Sequence, residues 1–136
     1  MNYVGHELHP TVCAQEVGLA FKVPLLADEL HSRIDAFIST LTSSLKDDGC
    51  TLIGHIKGII EVEGNENLFF SVTSFDEKTS YKGDLPNEIS KVMLAINVVV
   101  YGVEQASVEK AIRDGLERYV MTEGPGISAP GETGGC

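Results

Sequence analysis

Three stretches decide the fold: TLIGHIKGIIEV (residues 51–62), LFFSVTSF (residues 68–75) and KVMLAINVVVYGV (residues 91–103). Each carries apolar side chains at both parities. The even positions give Leu52, Ile56, Ile60 and Val62, then Leu68, Phe70 and Val72, then Val92, Leu94, Ile96, Val98 and Val100. The odd positions give Ile53, His55, Lys57 and Ile59, then Phe69, Ser71, Thr73 and Phe75, then Met93, Asn97, Val99 and Tyr101. Successive strand residues point to opposite faces, so a sheet with one wet face alternates cleanly. The even set reads as a core face. The odd set is too apolar for open water and too polar for a core, which predicts that a second subunit or a ligand covers it.

Working outward, residues 12–23 place Cys13, Val17, Leu19, Phe21 and Val23 on one parity, a strand pattern. Pro24 stands where a helix can open, because its missing N–H is harmless there. Leu26, Leu30, Ile34, Phe37, Ile38, Leu41 and Leu45 then keep helical spacing, predicting a helix over Leu26–Lys46. Asp28 and Glu29 suit its positive end, Lys46 its negative end, and Gly49 a left-handed stop just beyond. Residues 63–67 supply turn chemistry for a hairpin. Residues 76–87 read as a polar connection long enough to form a flap. Val108, Ala111, Ile112, Leu116 and Tyr119 define a second helix, Gln105–Val120. Its interior Gly115 costs about 1 kcal/mol against Ala unless close packing requires the missing side chain.

These elements predict an α+β two-layer sandwich in β-α-β-β-β-α order, with an antiparallel sheet and both helices on one face. Residues 1–120 form the single domain, and residues 121–136, rich in Gly and Pro, form a flexible tail. The central α-β-β-β-α order also occurs in double-stranded RNA-binding domains, a similarity of topology alone. The second helix offers Lys110, Arg113 and Arg118 diluted by Glu109, Asp114 and Glu117, so it carries no basic stripe.

Composition narrows the partners. A formal net charge of −10 argues against binding nucleic acid through phosphates and against docking on anionic lipid. No apolar run approaches the roughly 18 residues of a membrane span, and the first residues lack a signal-peptide pattern. Three cysteines, Cys13, Cys50 and Cys136, make no close-spaced pair, so reduced thiols and a cytoplasmic setting are expected.

Two constellations could carry chemistry. His6, His9 and Cys13 are the densest set of potential metal ligands and suit zinc or another transition ion, with His31 or His55 as a fourth ligand in space. Their spacing matches no standard zinc pattern, and the alternative is a solvated N-terminal segment with Cys13 packed inward. His55, Lys57, Thr73, Asn97 and Tyr101 share the odd face: His55 could move a proton and Lys57 could hold an anion. The same residues equally suit the polar part of a subunit interface. Gly54 and Gly58 are expected to let the first helix approach the sheet. The expectation is a homodimeric binding or interaction module, with a possible small-molecule ligand. The rival is a small enzyme, or a metal-binding protein, built on one of these two sets.

Overall fold

The computed structural model describes residues 9–64 and 67–121. The chain runs β1 (Thr11–Leu26), α1 (Ala27–Asp47), β2 (Leu52–Glu61), β3 (Asn67–Val72), β4 (Ser80–Gly83), β5 (Glu88–Tyr101) and α2 (Gln105–Gly115), which continues as a π-helical turn over Leu116–Val120. The five strands form one antiparallel sheet in the order β1-β5-β2-β3-β4. One face carries both helices. The expected α+β sandwich is therefore the architecture, with one strand more than the apolar pattern shows.

The core lies where helical and strand periodicities meet. Leu30, Ile34, Phe37, Ile38, Leu41 and Leu45 of α1 are buried, as are Val108, Ala111 and Ile112 of α2. They face Ile56 and Ile60 of β2, Leu68, Phe70 and Val72 of β3, and Val92, Leu94, Ile96, Val98 and Val100 of β5. Truncating any of the large members to Ala removes transfer energy and leaves a cavity, typically at a cost of about 2–5 kcal/mol.

The ends of α1 follow local chemistry. The Glu29 carboxylate accepts the Leu26 N–H at 3.4 Å, and the Asn87 carbonyl accepts the Ala27 N–H at 3.2 Å. At the other end Gly49 adopts φ 104°, the Gly49 N–H bonds the Lys46 carbonyl and the Cys50 N–H bonds the Leu45 carbonyl. Those two bonds, with Leu45 and Cys50 both buried, make a Schellman stop.

Four expectations need correction. Pro24 does not open the helix; it lies inside β1, in the register irregularity between Ala20 and Leu25, where it interrupts no regular ladder. Residues 80–83, read as part of a connection, pair with β3 as β4. Parity slips within β2: Ile53 pairs with Val100 and His55 with Val99, leaving Gly54 as an extra residue. Across that bulge Ile53 joins the core at 3% exposure, while Leu52 turns outward at 54%. Finally, neither strand glycine serves the approach of α1. A β-carbon on Gly54 would meet Val99, and one on Gly58 would meet the ring of Phe70 from the neighbouring strand.

Candidate functional site

The face of the sheet away from the helices is covered by no described residue. Cross-strand pairing sorts it into rows. The first is Val12–Val99–His55, the second Ala14–Asn97–Lys57–Ser71–Ser80, the third Glu16–Ala95–Ile59–Phe69–Lys82 and the fourth Gly18–Met93–Glu61–Asn67. Tyr101 and Leu52 pair beyond the first row, and Ala20 and Lys91 beyond the fourth. Val12, Leu52, Phe69 and Met93 are exposed on this face, Phe69 at 47% and Met93 at 38%.

In the middle of the face lies a shallow depression of about 570 Å³. Ala14 and Ala95 leave it low, Ile59 and Phe69 give it an apolar wall, and Glu16, Lys57 and Asn97 supply its polar groups. Small side chains on β1 and β5 flanked by larger ones on β2 and β3 are what create it. Charge on the face is balanced, with Lys57, Lys82 and Lys91 against Glu16, Glu61 and Glu88, whereas the whole chain carries −10.

The sequence-predicted site residues are only partly brought together. Lys57 and Asn97 are direct cross-strand partners, and Ser71 flanks Lys57 on its other side. His55 lies one row away and Tyr101 one row further; both are half-buried and neither lines the depression. Thr73 sits past the end of β3, where its hydroxyl donates to the Glu77 carboxylate at 3.0 Å. Sequence reasoning missed Ala14 and Glu16. Their alternation with Cys13 and Val17 marks a strand, but only the pairing of β1 with β5 puts them beside Lys57.

The N-terminal ligand set does not assemble among the described residues. His6 lies outside them, His9 is exposed, and Cys13 is fully buried on the core side of β1. Cys13, at 0% exposure, offers no accessible sulfur to a metal on the open face. Cys50 is a free, buried thiol. His31 sits on α1 against the Tyr81 ring, with centroids 4.3 Å apart, on the opposite side of the sheet from His55. No trio of His, Cys, Asp or Glu among the described residues is arranged to hold a metal ion.

Two further polar features lie on the helix side. The Tyr81 hydroxyl donates to the Asp35 carboxylate at 2.7 Å, fastening β4 to α1. Beside it, Asp35, Ser39, Thr42, Ser74, Glu77 and Lys78 line a cleft of about 480 Å³. Several of its groups already serve the local fold: Thr42 donates to the Ser39 carbonyl, Ser74 accepts the Asp76 N–H and Glu77 accepts from Thr73.

Comparison with protein-family models, with curated proteins and with solved structures finds no match in any of the three. No described helix is long and apolar enough to cross a membrane.

Proposed function

We propose that the chain acts as a homodimeric interaction module whose open sheet face receives a second copy of itself. The observation that carries this reading is the exposure of Val12, Leu52, Phe69 and Met93 on one uncovered face. Half-buried Val99 and Ile59 lie in the rows between them, and a sheet face this apolar is unfavourable in water without cover.

Size and charge support the same occupant. Strands about 4.8 Å apart, rising about 3.3 Å per residue, give the five-stranded face a plan area on the order of 650 Å². That approaches the roughly 800 Å² per partner of a standard interface, before side-chain relief is counted. Two chains of net charge −10 repel one another everywhere except where local charge is balanced, and this face is balanced. A twofold partner brings the same balanced, apolar patch, and twofold dimers are the commonest soluble assemblies.

The rival reading, a small enzyme using His55 with Tyr101 or Lys57, needs those groups in one pocket. The depression takes in Lys57 alone of the three.

Light scattering at micromolar concentration tests the proposal. A dimer has twice the 14.6 kDa chain mass, and Phe69→Asp reduces it to a folded monomer because an unpaired carboxylate would be buried at the contact. A wild-type mass of one chain overturns the reading. Native mass spectrometry of the same sample distinguishes a second copy from a retained small molecule.

A further inference from the structure

We propose that the outer edge of β1 takes up an extended peptide of a partner protein as an added strand. One apolar side chain of that peptide enters the cleft beside α2, with a basic residue next to it. Such docking does not depend on what covers the open face. β1 and β4 are the two ends of the sheet, and they are guarded very differently. β4 is four residues long and carries the exposed Lys82, two of the devices that keep a sheet edge from pairing. β1 keeps unbroken register with β5 from Thr11 to Ala20, a stretch with no proline and the single charge of Glu16. The register irregularity and Pro24 come only beyond Ala20. An edge strand turns alternate N–H and C=O groups outward, so this stretch is a template for another strand.

A cleft of about 350 Å³ lies along the middle of that edge. Val17, Leu116 and Met121 give it apolar walls, and Glu16, Arg113 and Glu117 give it a charged rim. The Met121 N–H bonds the Leu116 carbonyl at 2.7 Å, which closes the π turn against the cleft. Turns of this kind are rare and recur at functional sites. The start of α2 is tied to the start of β1: the Gln105 amide donates to the Val12 carbonyl at 3.1 Å. The Thr11 hydroxyl donates to the Val103 carbonyl at 2.6 Å. Edge and cleft thus form one preformed groove, which spares a ligand the cost of ordering it.

The groove dictates the peptide. Side chains of an added strand alternate, so the residue beside Glu16 projects to the open face and its neighbours to the α2 side. There the apolar walls receive one aliphatic or aromatic side chain. Glu16 and Glu117 outnumber Arg113 at the rim, and the whole chain carries −10, so the residue beside Glu16 is lysine or arginine. Backbone pairing supplies affinity and these two side chains supply selectivity, as where other peptides extend a sheet.

Residue-resolved amide exchange tests the docking with a soluble synthetic peptide of alternating valine and lysine. In the peptide-free chain, alternate amides between Thr11 and Ala20 should exchange fast and their neighbours, bonded to β5, slowly. Saturating peptide should slow the fast set at least about tenfold and leave the Ser80–Gly83 edge unchanged. The same peptide with proline at its centre lacks the donor and should bind at least about tenfold more weakly. Glu16→Lys, an exposed substitution, should weaken the lysine peptide and favour one with glutamate in its place. Slowing that is absent from β1, or spread over both edges, overturns the proposal. So does a peptide-free chain whose β1 amides are all slow already, since a second copy or residues 122–136 then fill the edge.

Discussion

The ring of Phe70 on β3 lies over the α-carbon of Gly58, its direct cross-strand partner on β2. A β-carbon at Gly58 would fall 2.7 Å from Cε1 of that ring and closer still to Cζ. Phe70 is 2% exposed, so the ring has no room to retreat. An aromatic side chain laid over a strand glycine replaces the packing the glycine lacks and pins the register of the two strands.

Gly58→Ala should therefore destabilise the fold by about 1–3 kcal/mol, the usual cost of overpacking a filled core. Phe70→Leu alone loses ring contacts, but in the double variant the shorter side chain clears the new methyl group. Urea unfolding of the four proteins should show the double variant more stable than the sum of the single losses. Simple additivity would mean that the ring and the glycine do not share that space.

Gly115 poses the same question in a helix, and the sequence already asks it. Alanine is favoured over glycine in a helix interior by about 1 kcal/mol, so Gly115→Ala should stabilise if propensity governed. Here the β-carbon would lie 2.9 Å from Cδ1 and 3.1 Å from Cε1 of Phe37, which is fully buried on α1. Overpacking of about 1–3 kcal/mol outweighs the propensity gain, and the expected result is a net loss of about 1 kcal/mol. A urea midpoint that rises in Gly115→Ala would refute the close approach of the two helices.

Which features were legible follows from how local their causes are. Helical spacing from Leu26 to Leu45 is written within one segment, and α1 differs from the expected span by one residue at each end. Gly49 announces its own stop, and Gly115 announces tight packing because nothing else justifies it. By contrast, β4 is four residues of mixed polarity, Ser80–Gly83, and becomes a strand only because β3 offers its edge. The Gly54 bulge exists only in relation to Val99 and Val100 on β5, so the parity slip at Leu52 and Ile53 has no local mark. The site divides in the same way: Lys57 and Asn97 share a parity visible in sequence, while Glu16 reaches them through strand order.

Cys50 offers a measure of how tightly the end of α1 is closed. It is 6% exposed, and its sulfur donates to the Leu52 carbonyl at 3.4 Å. A thiol reacts as the thiolate and only where reagent can reach it. Alkylation at Cys50, followed by peptide mass mapping, should be on the order of a hundredfold slower in the native protein than in denaturant. Equal rates would show that the Gly49 stop frays open in solution.

Tyr81 makes the fold sensitive to alkali. Burial of its ring, then the Asp35 carboxylate that accepts its hydroxyl at 2.7 Å, raise its phenol well above the ordinary tyrosine value. Unfolded Tyr81 releases its proton near pH 10, whereas the folded chain holds it to higher pH. Above pH 10 the unfolded state thus binds fewer protons than the folded state, and stability falls as pH rises. The contribution is intact below about pH 10 and is lost progressively above it. Tyr81 should give a late phenolate signal, beyond the ordinary tyrosine range, in an ultraviolet titration of the folded protein. Tyr81→Phe should remove that late signal, lower stability at neutral pH by about 1 kcal/mol, and flatten the alkaline fall in the urea midpoint. Equal alkaline slopes for the two proteins would mean that β4 is not fastened to α1 through this hydroxyl.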